Sequence, residues 1–311
     1  MRFAIVGAGN MGSLYGANLA RVGYEVWLGD AWEDHVRTIQ EHGLRMEGLN
    51  GEFVARPHAT TDVDSAPPAD VAIIAVNGYS TADASRSAAS LLRDDGYAVT
   101  LQNGLGNIEL LEGALGRERV VGGLTFHSAD CIGPGRVTHT NRGPTYLGEL
   151  NGGGSERVDA LAEALRRADL GPQIEPDIMR TIWSKFVHNC AINAVCALTG
   201  VRPARLQEAA DVEELQAAVA AEAIQLAGAR GIVLDDPDPV DTILRYCREK
   251  SHRVSMVQHL ARGRRTEVDS LNGYVATESR RLGLAAPYND AVAKLLRGLE
   301  HVVDDKTCRV T

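Results

Sequence analysis

The chain has 311 residues, 44% hydrophobic and 23% charged, which is enough for a core in each of two domains and too much for one ordinary core. A formal net charge of -9 excludes general binding to nucleic acid or to an anionic membrane, both of which need a concentrated basic surface, and leaves only local basic runs such as Arg262 to Arg265. Five scattered cysteines without a CxxC pair, nine histidines without HExxH spacing, no apolar run near the ~20 residues of a membrane span and no signal-peptide pattern lead to the expectation of a cytoplasmic protein with reduced thiols and no metal site.

Residues 2 to 6, RFAIV, read as a short strand that runs into Gly7-Ala8-Gly9-Asn10-Met11-Gly12, and a helical pattern (Leu14, Ala17, Leu19, Ala20) continues to Gly23. Strand, glycine turn and helix give a GxGxxG its meaning, because glycines allow a tight turn, close approach of backbone to a pyrophosphate, and close helix packing. Gly7, Gly9, Asn10, Met11 and Gly12 are therefore candidates for holding a dinucleotide, with a purely structural turn as the alternative. The next strand, Tyr24 to Leu28, ends at Gly29-Asp30. Asp30 stands where a carboxylate can bind the ribose diol, or else it belongs to the start of the helix from Glu33 to His42.

Leu44 to Arg56 contains Asn50-Gly51, a strong hairpin signal, and reads as a β-hairpin inserted before the third parallel strand. Asp70 to Val76 reads as a buried parallel strand followed by Asn77-Gly78-Tyr79 and a small-residue helix to Leu92. Tyr97 to Leu101 is the next strand, and it places Asn103 of Gln102-Asn103-Gly104-Leu105-Gly106 at the rim where such sheets bind ligands, unless it is only an Asn-Gly turn. After a helix to Leu115 and a strand from Val120 to Leu124 comes Thr125-Phe126-His127. Gly133-Pro134-Gly135 then turns the chain into Arg136 to His139 and Thr145 to Leu147, expected as an antiparallel extension of the sheet. Glu156 to Ala168 is the last helix of this half, and a boundary is expected near Gly171-Pro172.

From Asp177 onward helical periodicity takes over, as in a second, all-helical domain. Its first helix, Met179 to Leu198, is apolar nearly all round except for Lys185, Asn189 and Asn193. Steps of four advance each side chain by only about 40°, so these three form one stripe. A lysine in so apolar a helix is either a rim residue with its amine in solvent or a functional group whose burial demands a partner. Further helices are expected at Val212 to Arg230, Val240 to Arg262, Glu267 to Arg281 and Pro287 to Val303, with a loosely ordered tail after Asp304.

The helix WSKFVHNCAINAVCAL, together with RVSMVQHLARGRRTEVDSLNG at 253 to 273, QNGLGN at 102 to 107 and GPGRVTHT at 133 to 140, resembles the ketopantoate reductase (2-dehydropantoate 2-reductase) family over nearly the whole chain. The resemblance implies an α/β fold: an N-terminal Rossmann-type doubly wound sheet over 1–172, then an all-helical substrate domain over 173–311, with the active site in the cleft between them. By position, Lys185 is the catalytic lysine, Asn189, Asn193 and Ser255 contact substrate, Asn103 lies between cofactor and substrate, and Glu267 is at the active site. The activity implied is hydride transfer from a nicotinamide cofactor to the C2 carbonyl of a 2-keto acid, with a homodimer allowed. Asn77 stands where the family carries a lysine in the cofactor cleft, and Asp30-Ala31 where a basic residue would grip a 2'-phosphate, so NAD(H) is expected in preference to NADP(H). His259 and His252 are smaller departures. His127 is a second candidate acid. An NAD-dependent D-2-hydroxyacid dehydrogenase on the same scaffold and a non-catalytic nicotinamide-sensing module are the alternative functions.

Overall fold

The computed structural model describes residues 1–49, 51–234, 236–250 and 253–303. Asn50 of the hairpin signal, His252 and the segment after Asp304 lie outside the described residues. The chain divides into two compact units, one formed by residues 1–102 and 107–179, the other by residues 103–106 and 180–311.

The first unit is built from β1 (Arg2–Val6), α1 (Asn10–Arg21), β2 (Glu25–Gly29), α2 (Glu33–His42), β3 (Leu44–Gly48), β4 (Phe53–Ala55), β5 (His58–Thr60), β6 (Ala69–Ile74), α3 (Thr81–Leu91), β7 (Leu92–Thr100), α4 (Asn107–Leu115), β8 (Val120–Thr125), β9 (Ser128–Gly133), β10 (Arg136–Asn141), β11 (Thr145–Glu149), α5 (Glu156–Arg167) and β12 (Pro172–Ile174). An eight-stranded sheet runs in the order β12-β11-β8-β7-β6-β1-β2-β5. The strands from β5 to β8 are parallel, while β11 pairs antiparallel with β8, as in a Rossmann-type sheet carrying an antiparallel extension. The central strands are covered on both faces, which is why β1 and β6 read as unbroken apolar runs. Small residues bring α1 down onto the sheet: a Cβ on Gly16 would lie 2.5 Å from Leu28 Cδ2. Ser155 caps α5 by accepting the Val158 N–H at 3.2 Å.

Three features depart from the sequence reading. The β3–β4 hairpin is present, but β10 does not extend the main sheet; it pairs parallel with β3 and antiparallel with β9 in a separate four-stranded sheet, β4-β3-β10-β9. The two-strand ribbon folded at Gly133–Gly135 thus finds its partner far away in sequence, and α1 packs against both sheets. The short β5 and β12 were not foreseen, since three residues carry no readable alternation.

In the second unit, the described secondary structure is helical. It comprises α6 (Ile178–Thr199), which begins at the boundary, α7 (Ala210–Ala229), α8 (Pro239–Arg248), α9 (Ser255–Ala261), α10 (Asn272–Arg281) and α11 (Pro287–Val303). Ile182, Phe186, Val187, Cys190, Ala191, Ala194 and Val195 of α6 are buried. Asp238 caps α8 by accepting the Asp241 N–H at 3.1 Å, with Pro239 at its first position. The segment expected as one helix from Val240 to Arg262 is two helices, and a short 3-10 turn at Val268–Ser270 precedes α10.

Candidate active site

In the α/β unit, three strand ends converge on the glycine turn. Gly7 N–H donates to the Gly29 carbonyl at 2.8 Å, joining the ends of β1 and β2, while Val76, beyond the end of β6, lies against Gly7. Gly7 has φ +96°, and a Cβ there would fall 2.7 Å from Val76 Cγ1 and 2.9 Å from Val76 N. A Cβ on Gly12 would fall 1.9 Å from the Gly7 carbonyl oxygen. Those two glycines are therefore required by the protein itself. Gly9 differs, for a Cβ there would meet no protein atom within 4 Å. Gly9 is also the N-cap of α1, whose first turn has neither a side-chain cap nor an acidic residue, so its N–H groups and positive dipole end are left for an outside anion. An open cradle at a helix N-terminus fits a pyrophosphate.

The Asn10 side chain is already engaged, accepting the Cys131 N–H at 2.8 Å and so tying α1 to β9; Met11 packs against the core. Asp30, half-buried at the end of β2, accepts the Trp32 N–H at 2.9 Å, while the N-cap of α2 is Trp32. Asp30 is thus not the helix cap. Asn77 Nδ2 donates to the Tyr79 hydroxyl at 2.8 Å, and Gln102 Nε2 donates at 2.8 Å both to the Val76 carbonyl and to Thr81 Oγ1, fixing the turn that enters α3.

Sequence reasoning missed one support of the glycine turn. Gly135 N–H donates to His35 Nδ1 at 3.0 Å, so the proton sits on His35 Nε2, which lies 3.2 Å from Ser13 Oγ; that hydroxyl donates to the Ala8 carbonyl at 2.7 Å. Burial holds the His35 imidazole below its ordinary value and therefore neutral, against the opposing pull of Asp30. The available signal was the spacing of His35 with Ile39 on the buried face of α2. His127, the second candidate acid, is buried, its Nε2 3.1 Å from the Leu170 carbonyl and its Nδ1 3.0 Å from His139 Nε2. Both ring nitrogens are thus engaged within the α/β unit.

In the helical unit, Lys185, Asn189 and Asn193 follow one another along α6. Burial pushes the Lys185 amine down from 10.5 to about 8, with the Glu267 carboxylate opposing that shift. A shift of that size corresponds to roughly 3 kcal/mol against the charged form. Asn189 is half-buried and Asn193 is 7% exposed, and neither amide is hydrogen-bonded to another described residue. Asn103 belongs to this unit because its turn docks on the segment after Glu267: Leu105 N–H donates to the Ser270 carbonyl at 2.9 Å. Gly104, at φ +82°, approaches so closely that a Cβ would lie 2.3 Å from that same oxygen. The Tyr274 ring completes the junction, 3.7 Å from where a Gly106 Cβ would stand and edge-on to Phe186 at 5.8 Å. The fold therefore gathers the Asn103 turn, the Glu267 turn and the Lys185 segment of α6. Ser255 opens α9, half-buried, and no hydrogen bond draws it to Asn189 or Asn193. Among the described residues no group of histidine, cysteine, aspartate or glutamate could hold a metal ion.

Fold and site together define a Rossmann-type α/β unit joined to a helical unit that carries a desolvated lysine on an otherwise apolar helix. The family described as Ketopantoate reductase PanE/ApbA matches residues 3–152, and its C-terminal counterpart matches residues 177–300. The chain belongs to the ketopantoate reductase family. It is 33% identical to a 2-dehydropantoate 2-reductase of Halobacterium salinarum, over 96% of this chain and 98% of the relative. A PanE/ApbA family ketopantoate reductase of Ralstonia eutropha superposes with a TM-score of 0.91 at 30% identity, over 98% of this chain and 100% of that one. A D-mandelate dehydrogenase solved with NADH and anilino(oxo)acetate superposes with a TM-score of 0.88 at 28% identity, again over 98% and 100%. No described helix is long and apolar enough to cross a membrane.

Proposed function

We propose that the protein is a nicotinamide-dependent reductase of the 2-dehydropantoate 2-reductase type, which converts the C2 carbonyl of a 2-keto acid to a hydroxyl. The observation that carries this reading is Lys185, an amine brought down to about 8 beside Glu267 on a stripe with Asn189 and Asn193, whose amides make no hydrogen bond to another described residue. A half-buried amine that burial lowers and a carboxylate opposes is suited to a site where negative charge develops in a transition state.

In the α/β unit, Gly7, Gly9 and Gly12 with the N-terminal N–H groups of α1, including those of Asn10 and Met11, would hold the pyrophosphate, and Asp30 would accept hydrogen bonds from the ribose diol. Asn77 and Asn103 are assigned to the nicotinamide end. A bound reduced nicotinamide supplies the hydride to C2. The Lys185 ammonium faces the carbonyl oxygen, stabilises the alkoxide as it forms and donates its proton to it, leaving a neutral amine and a 2-hydroxy acid. Glu267 keeps that amine protonated at neutral pH against its desolvation. Asn189, Asn193, Asn103 and Ser255 would orient the substrate carboxylate and hydroxyls with neutral hydrogen bonds. NADH is preferred, because the Asp30 charge repels a 2'-phosphate and no Arg or Lys stands at residues 29 to 34 to offset it.

The second reading, a D-2-hydroxyacid dehydrogenase, is favoured by two particulars: the structural likeness to the NADH-bound D-mandelate dehydrogenase, and Asn77, which removes a cation from the site. A panel of ketopantoate and branched, aromatic and polar 2-keto acids, run with NADH and NADPH, separates the two. Highest kcat/KM on ketopantoate establishes the first reading and highest kcat/KM on an aromatic 2-keto acid the second; no turnover of any 2-keto acid contradicts both.

A further inference from the structure

Two amides and a carboxylate of the helical unit are buried in a network that the site above does not use. Asn272, at the start of α10, and Asn289, in the first turn of α11, are both 0% exposed, and Glu222 of α7 is 9% exposed. Glu222 accepts Tyr288 N–H at 2.9 Å, Asn289 N–H at 2.8 Å and Asn289 Nδ2 at 2.7 Å, so it caps α11 and grips the asparagine together. Asn289 Nδ2 also donates to the Val219 carbonyl at 3.0 Å. Asn289 Oδ1 then accepts Asn272 Nδ2 at 2.9 Å, and the same Asn272 Nδ2 donates to the Cys190 carbonyl of α6 at 3.0 Å.

The orientation of the Asn272 amide follows from these neighbours: both are acceptor oxygens, so its NH2 group faces them. Its own oxygen is left buried without a hydrogen-bond partner among the described residues. The target is also unusual, because a mid-helix carbonyl has a partner within its own helix and needs no second donor. Cys190 lies next to Asn189 and one turn before Asn193. Together with the Tyr274–Phe186 contact, α10 therefore grips α6 at two points, one residue after Lys185 and one residue after Asn189.

We propose that Asn272 is a positioning residue for α6, which fixes the rotation and axial placement of Lys185, Asn189 and Asn193, while Asn289 and Glu222 hold its amide in register. The proposal rests on the reading of Lys185 as the proton donor. Asn272→Ala removes both donated hydrogen bonds, and a displacement of the order of 1 Å at a reacting group costs up to about 100-fold in rate. The expected result is a 10-fold to 100-fold lower kcat per folded molecule on the fastest 2-keto acid, a raised KM for that acid and an unchanged Kd for NADH. A purely structural role would lower the melting temperature and leave kcat per folded molecule within twofold of wild type, and that result overturns the proposal.

Asn272→Asp keeps the shape and serves where the alanine variant does not fold. Its buried carboxyl can donate to the Cys190 carbonyl only when protonated, so the ratio of variant to wild-type kcat should rise as pH falls, over and above the Lys185 limb that both proteins share. A kcat profile parallel to wild type contradicts positioning. Lys185→Ala assayed beside these variants keeps the two readings apart: full activity in Lys185→Ala refutes the proton donor, whereas an inactive Lys185→Ala with fully active Asn272 variants refutes only the positioning role.

Discussion

The glycine turn of the α/β unit and the polar stripe of α6 are both candidate binding elements, yet they are specified in opposite ways. In the turn, the identities are imposed by backbone sterics: Gly7 and Gly12 have no room for a Cβ, and the site is what their absence of side chain leaves open at Gly9. In the stripe, the backbone is an ordinary helix and everything depends on what three side chains do in apolar surroundings. A steric site tolerates almost no substitution, and its electrostatics come from backbone N–H groups and the helix dipole rather than from side chains. A desolvated amine tolerates substitution structurally and loses its chemistry at once. The comparison predicts that variants of the turn fail in binding and variants of the stripe fail in turnover.

The largest effect is expected at Lys185. Loss of a positioned general acid costs about 10² to 10⁴ in rate, so Lys185→Ala should lose kcat on that scale while its NADH affinity, measured by fluorescence titration, stays within twofold of wild type. A folded variant retaining more than about a tenth of wild-type kcat would place Lys185 with the ordinary rim lysines. Gly12→Ala should show the converse. Its Cβ is driven against the Gly7 carbonyl at 1.9 Å, and if overpacking of about 1 to 3 kcal/mol falls on the bound state, NADH affinity drops about 5-fold to 150-fold. Its kcat at saturating NADH should fall much less. Equal losses in kcat and affinity would break the division between the two regions. A smaller effect is expected at Asp30: Asp30→Ala should lower the NADH preference about tenfold in kcat/KM, and a wild-type enzyme that already prefers NADPH tenfold would sink the ribose assignment.

The two regions also differ in how much of them the sequence discloses. Strand, glycine turn and helix are contiguous, so their geometry is readable from local pattern, and α6 announces itself because polar residues at steps of four interrupt an apolar run. What could not be read depends on distant partners. Val137 of β10 pairs with Met46 of β3, a choice that no local periodicity records, and His35 and Asn272 become meaningful only when Gly135 and the Cys190 carbonyl are brought to them. Asn10 shows the converse limit: the motif marks it for a cofactor, while its side chain is spent on Cys131.

The central claim is that Lys185 works as an ammonium whose pKa is lowered by burial, and the pH dependence of kcat/KM for 2-keto acid reduction tests it most directly. Because the folded value lies at about 8, below the ordinary 10.5, the ammonium is complete only well below pH 8 and is lost as pH rises through it. The cost of burying it is correspondingly complete below about 8 and is relieved between 8 and 10.5, so its contribution to stability rises with pH in that window. The expected result is a single basic limb in kcat/KM with its midpoint near 8, and a rise of kcat/KM for the reverse, oxidising reaction over the same range. A reductive kcat/KM that stays flat from pH 7 to pH 10 would contradict it.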